Sequence, residues 1–196
     1  MSHPFAALTP DLVLDAVESL GLLSDARVLA LNSYENRVYQ VGIEGEAPLV
    51  AKFYRPGRWS DAAIREEHAF ALELAEHEVP LVAPLQRDGE SLFEHAGFRF
   101  ALFPRRGGHA PEPGDLDQLY RLGQLLGRLH AVGASRPFRH RETLDVASFG
   151  HASLATLLGG PVIPSRLRPT HQAPAPGPLA RPGAPCAGPP HPPRRP

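Results

Sequence analysis

Lysine is almost absent from this chain. Lys52 is the only one in 196 residues, and the other nineteen basic side chains are arginines. Cysteine is as scarce: Cys186 stands alone, so no internal disulfide can form, and a cytoplasmic location is expected. No apolar run approaches the roughly 20 residues that span a bilayer, so a membrane partner is not expected. The N-terminal stretch MSHPFAALTPDLVLDAVESLG lacks a basic region ahead of an apolar core, which argues against a secretory signal. A formal net charge of −1 supplies no global field for nucleic acid. Neither GxxxxGK followed by Ser or Thr nor GxGxxG occurs, so two common phosphate-binding architectures find no support.

The composition is not uniform along the chain. Residues 168–196 hold 11 of the 23 prolines and four arginines, with no acidic or aromatic residue. Removing those four positives leaves residues 1–167 with 16 basic against 21 acidic side chains. Proline at that density opposes helix and strand pairing, so a disordered tail is expected over 168–196.

What is present centres on Lys52. The stretch LVAKFY at 49–54 alternates, and it has the aromatic and β-branched content of a strand. Val50, Lys52 and Tyr54 then share one face, and Leu49, Ala51 and Phe53 the other. Upstream, 37–44 is a second strand, and GEAP at 45–48 turns between the two. A polar loop at 32–36, NSYEN, leads back to a first strand at 27–31. Three antiparallel strands, with a polar loop at the first turn and a lysine on the third, suit nucleotide phosphates. The loop lies over them and the lysine reaches them on its long stem. That loop has no glycine, so the Ser33 hydroxyl and the Asn36 amide are its candidate phosphate contacts.

Flanking elements complete the pattern. Thr9, Pro10 and Asp11 open a helix with an apolar face of Leu12, Val13, Ala16, Val17 and Leu20, expected to pack on the outside of the sheet. Ser60 and Asp61 cap a helix to about His77. Its stripe, Ile64, Phe70, Ala71 and Leu74, includes Glu67, with Glu66 at the edge. Asp88-Gly89 and Ala96-Gly97 are turn signals around a strand at 90–94, and FRFALF at 98–103 is the last strand. PRRGG at 104–108 is a joint. Asp115 then caps a helix to about His130, with Leu119, Leu122, Leu126 and Leu129 aligned.

The blocks NSYENRVYQV, VAKFYRPGRW and EEHAFALELAEHEVPLVAP resemble the stress response kinase A family, over residues 8–167. These are bacterial serine/threonine protein kinases of the aminoglycoside phosphotransferase and choline kinase-like superfamily. The resemblance implies an α+β fold: a protein-kinase-like N-terminal lobe over 1–108, with a five-stranded antiparallel sheet and one inserted helix. The start of a C-terminal lobe follows over 109–167, and the tail over 168–196. It further implies ATP and Mg²⁺ as cofactors, serine or threonine hydroxyls of proteins as acceptors, a role in the stress response and a monomer.

Residue by residue, the resemblance puts Ser33 at the nucleotide site. It makes Glu67, with Glu66 as second choice, the partner that holds Lys52 against the phosphates. Val50 would pack against adenine, whose edge would bond the backbone near 103–105. The family's HGDxHxxN loop and later acidic cluster, which supply the catalytic aspartate and the metal ligands, are missing, and no aspartate follows Asp145. The expectation is a truncated or frame-shifted copy, out of frame after about 167 and inactive alone. A small-molecule kinase for an aminoglycoside, choline or homoserine, or a non-catalytic nucleotide-binding remnant, are the competing readings.

Overall fold

The computed structural model describes residues 4–160, so the proline-rich stretch and its expected disorder lie outside the described residues. Two compact units divide between Arg141 and Glu142.

The first unit is built on a sheet of five antiparallel strands in the order β1-β2-β3-β5-β4. Its strands are β1 (Ser24–Leu31), β2 (Arg37–Ile43), β3 (Leu49–Phe53), β4 (Phe93–His95) and β5 (Phe98–Pro104). β3 lies at the centre, with Lys52 opposite Val38 on β2 and Ala101 on β5. Its alternation works as the pleat requires. Ala51 and Phe53 are fully buried on one face, and Tyr54, just past the strand, is buried on the other.

Helix α1 (Pro10–Glu18) covers the first face. Thr9 Oγ1 accepts the Leu12 N–H at 3.2 Å, and Pro10 supplies a helical φ at the first position. Val13, Ala16 and Val17 are buried against Val41, Phe53, Phe100 and Leu102 in the main core. The Phe53 and Phe100 rings stack at 5.3 Å. Gly21, at φ +76°, ends the helical segment.

Helix α2 (Asp61–Glu76) covers the opposite face, capped by Ser60 Oγ on the Ala63 N–H. Arg99 on β5 pins its start, donating to the Trp59 carbonyl at 2.7 Å and to Asp61 at 2.5 Å. Beneath it lies a smaller core of Tyr54, Ile64, Leu92 and Ala101. The inward stripe differs from the sequence expectation. Phe70 and Ala71 are only half-buried, whereas His68, one helical turn after Ile64, is buried.

The return strand also differs. Asp88 and Gly89 take positive φ and close a tight turn, but it carries a single bridge, Arg87 to Glu90. Ser91 and Leu92 are both buried in succession, which breaks the alternation a strand needs, so β4 begins only at Phe93. β1 starts at Ser24, earlier than expected, with a register irregularity before Val28 and Ala26 at φ +63°.

Helix α3 (Leu116–Gly133) is capped by Asp115, whose Oδ1 accepts the Gln118 N–H at 3.0 Å. It runs one turn past the expected end. Arg128 donates to the His77 and Glu78 carbonyls at the end of α2, both at 2.9 Å. No α3 side chain is buried among the described residues, and Leu116, Leu119, Leu122 and Leu126 are exposed.

The second unit, in its described part, is a π-helical turn (Val146–His151) continuing into α4 (Ala152–Gly159). Asp145 and Ser148 form a capping box, with Ser148 N–H donating to Asp145 Oδ1 at 2.7 Å.

Candidate nucleotide site

Lys52 projects from the α2 side of the sheet, held between two groups. Its Nζ lies 3.3 Å from Glu67 Oε1 on α2 and 4.7 Å from the centroid of the Tyr54 ring. Glu67 is thus the carboxylate at Lys52. Glu66 is engaged elsewhere: its two oxygens accept the backbone N–H groups of Arg139, His140 and Arg141 at 2.6, 2.8 and 2.9 Å. Burial alone would raise the Glu66 pKa, but those three N–H donors outweigh it and hold the carboxyl below its usual range.

The Lys52 and Glu67 side chains retain 24% and 38% of their exposure. A pair this wet contributes on the order of 0–1 kcal/mol to stability, so its consequence is positional. It orients an ammonium toward solvent where an anion can share it.

Other sequence candidates sit around this point. Val50 is half-buried on the same face, two residues before Lys52, and pairs in register with Gln40 and Phe103. The joint after Phe103 is tied to the sheet, since Arg105 Nε donates to Gln40 Oε1 at 3.1 Å. In the loop at 32–36, Ser33 Oγ donates to the Asn36 carbonyl at 2.9 Å. Asn36 Oδ1 accepts the Arg55 N–H at 3.2 Å. Both side chains expected to meet phosphate are here spent on holding the loop and fastening it to the end of β3. Tyr34, between them, is fully exposed.

Sequence reasoning missed two features. The first lies directly under Lys52. His68 Nε2 is 2.6 Å from Tyr54 Oη, and His68 Nδ1 is 2.9 Å from Ser91 Oγ. Desolvation, the largest cause, lowers the His68 pKa to about 4, and Lys52 and Arg65 add to that against the opposing pull of Glu67. The ring is therefore neutral at neutral pH. Burial, then the Glu67 charge, pushes the Tyr54 phenol up. This chain of polar groups fixes α2 to the sheet; its signal in the sequence was the i, i+4 spacing from Ile64.

The second is a belt of charge around Trp59, the only tryptophan. Trp59 Nε1 donates to Glu35 Oε1 at 3.0 Å, and Arg58 Nε lies 3.3 Å from Glu35 Oε2. The guanidinium carbons of Arg58 and Arg141 lie 4.4 and 4.2 Å from the indole centroid. Arg141 Nη1 also reaches Glu67 Oε2 at 3.2 Å. No sequence signal marks this contact, because 74 residues separate its partners.

The residues present fit a nucleotide phosphate better than a metal. A part-exposed ammonium supplies the cation a phosphate needs. Among the described residues no group of three or more His, Cys, Asp or Glu stands close enough to hold a metal ion, so no step is assigned to Mg²⁺. A cavity of about 270 Å³ opens beside α2, lined by Glu66, Phe70, Gly133 and Phe138, and Lys52 is not part of it. No helix among the described residues is long and apolar enough to cross a membrane.

Comparison with known proteins extends the geometry. The phosphotransferase enzyme family matches residues 27–158. The chain is 46% identical, over 145 residues, to serine/threonine protein kinase RdoA of Salmonella typhimurium. It is 44% identical, over the same length, to stress response kinase A of Escherichia coli K12. Each match covers 74% of this chain and 44% of the relative, so the chain spans less than half the length of these relatives. Among solved structures, amicoumacin kinase hAmiN, in complex with AMP-PNP, Ca²⁺ and Ami, superposes with a TM-score of 0.63 at 22% identity. That match covers 80% of this chain and 48% of the kinase. The microcompartment-associated aminopropanol kinase gives 0.54 at 20% identity, covering 74% and 53%. These two share the fold: an antiparallel five-stranded sheet with helices, of α+β class and kinase-like.

Proposed function

Because the chain belongs to the phosphotransferase enzyme family, we propose that residues 1–108 are the nucleotide-binding lobe of an ATP-dependent protein kinase of the stress response kinase A type. Residues 109–167 would begin the second lobe. The observation that carries this reading is the Lys52–Glu67 pair, bridging the central strand β3 and α2 at 3.3 Å. In this reading Val50 packs against adenine and the 32–36 loop lies over the phosphates, with Ser33 and Asn36 at the nucleotide site as the residues that hold the loop in shape and fasten it to the end of β3. The complete kinase moves the ATP γ-phosphate to serine or threonine hydroxyls of proteins, in the cytoplasm and with Mg²⁺, as part of a stress response.

Identity of 46% with a kinase named for serine/threonine protein substrates, and of 44% with stress response kinase A, supports this acceptor class. The small-molecule kinases share the fold at 20–22% identity, which says nothing about the acceptor. These 196 residues hold no His-x-Asp-(x)₄-Asn segment to supply a base beside the acceptor hydroxyl, so the reading for them alone is nucleotide binding without turnover.

Titration of the full chain with ATP, with and without Mg²⁺, tests the reading beside Lys52→Ala. Removing the ammonium should weaken binding about tenfold or more, the worth of one charge-assisted phosphate contact, while leaving the melting temperature nearly unchanged. Equal affinity in the two proteins would sink the assignment of Lys52, and γ-phosphate transfer at an ordinary kinase rate would sink the inactivity.

A further inference from the structure

Two neighbouring carboxylates of α2 grip the same three-residue segment. Glu66 takes the backbone N–H groups of Arg139, His140 and Arg141, which fixes the course of the chain after α3. From that anchored backbone the Arg141 side chain reaches over Trp59 to Glu67 Oε2 at 3.2 Å, while Glu67 Oε1 faces Lys52 at 3.3 Å. The two oxygens of one carboxylate are thus divided between two cations. A carboxylate held at one oxygen by a planar guanidinium has lost most of its rotational freedom, and the direction of its other oxygen is set.

We propose that Arg141 is a positioning residue for nucleotide binding: it locks Glu67 in the orientation that presents Lys52 to the phosphates. The inference rests on the nucleotide-site reading and adds to it a residue outside the sheet and α2. Arg141 is only 30% exposed on its side chain, stacked at 4.2 Å from the Trp59 centroid, and that indole in turn bonds Glu35 of the 32–36 loop. A single side chain therefore spans the carboxylate behind the lysine and the aromatic that anchors the phosphate-side loop.

The test is a double-mutant cycle on the full chain, with AMP-PNP as probe and intrinsic fluorescence of Trp59, the only tryptophan, as a readout of seating. Arg141→Ala should weaken AMP-PNP binding about three- to fivefold, the scale of a part-exposed ion pair. It should also shift the Trp59 emission. Arg141→Lys, which keeps the charge, should restore part of the affinity. In a Glu67→Gln background, Arg141→Ala should cost no further affinity, because its route to Lys52 is already cut.

An Arg141→Ala chain that binds as tightly as the parent would overturn the proposal. So would an equal loss in the Glu67→Gln background, which would mean that Arg141 meets the nucleotide directly. If the parent chain does not bind AMP-PNP, or binds it irrespective of Lys52, the nucleotide site fails first and the positioning role fails with it.

Discussion

Helices α1 and α3 both start at a capped N-terminus and both carry an apolar stripe, yet they end in different surroundings. α1 buries Val13, Ala16 and Val17 completely against the sheet, whereas α3 buries none of its side chains among the described residues. Local sequence specifies both helices equally well. What differs is the surface opposite: α1 faces the aromatic floor of Phe53 and Phe100, while among the described residues nothing buries Leu116, Leu119, Leu122 and Leu126 of α3. An amphipathic pattern predicts that a helix has a face to bury, and only the rest of the fold supplies something to bury it against.

Substitutions on the two sides should separate this contrast. The largest effect belongs to the floor under α1. Phe53→Ala removes a fully buried ring stacked on Phe100, and should cost about 3–5 kcal/mol in a denaturant titration. A loss below about 1 kcal/mol would mean that this core is not close-packed.

Next comes the polar counterpart beneath α2. His68 titrates near 4 in the folded chain against about 6.5 when unfolded, so the unfolded chain takes up the proton first as pH falls. Stability should be full above about pH 6.5 and decline toward pH 4, by on the order of 3 kcal/mol in total. Thermal melts of the parent and of His68→Asn across that window check it. The variant should lose this slope; parallel curves would place the acid sensitivity elsewhere.

The smallest effect belongs to α3. Leu122→Gln should change stability by no more than about 0.5 kcal/mol, since Leu122 is already 40% exposed, and should reduce self-association in sedimentation. A cost like that of Phe53→Ala would show the leucine row to be covered after all.

Much of the local structure around the candidate site was legible in the sequence alone. The alternation around Lys52, the Ser60 cap and the Ala96-Gly97 turn marked β3, α2 and the last hairpin, because each depends on residues within a few positions. Glu67 was placed opposite Lys52 by helical interval and the kinase-like resemblance together. The long-range partners were not legible. Glu66 looked like a spare candidate for Lys52, and its actual task, capturing three backbone N–H groups 73–75 residues away, has no local signature. Ser91 and Leu92 resembled strand residues until their joint burial ended the alternation. The chemistry that joins distant segments emerges only when the chain has closed.

The edges of the sheet carry one more consequence. β4 offers only three residues, and β1 is interrupted before Val28 with Ala26 in a left-handed conformation. Among the described residues neither rim presents a long, flat ladder of unpaired amides, which disfavours either rim as a template for an incoming strand. Copies of this chain that associate at high concentration should therefore meet side chain to side chain, through the leucines of α3. Such clusters would dissolve on dilution and leave the amide infrared band where it was, unlike the fibrillar growth that begins at an open strand edge.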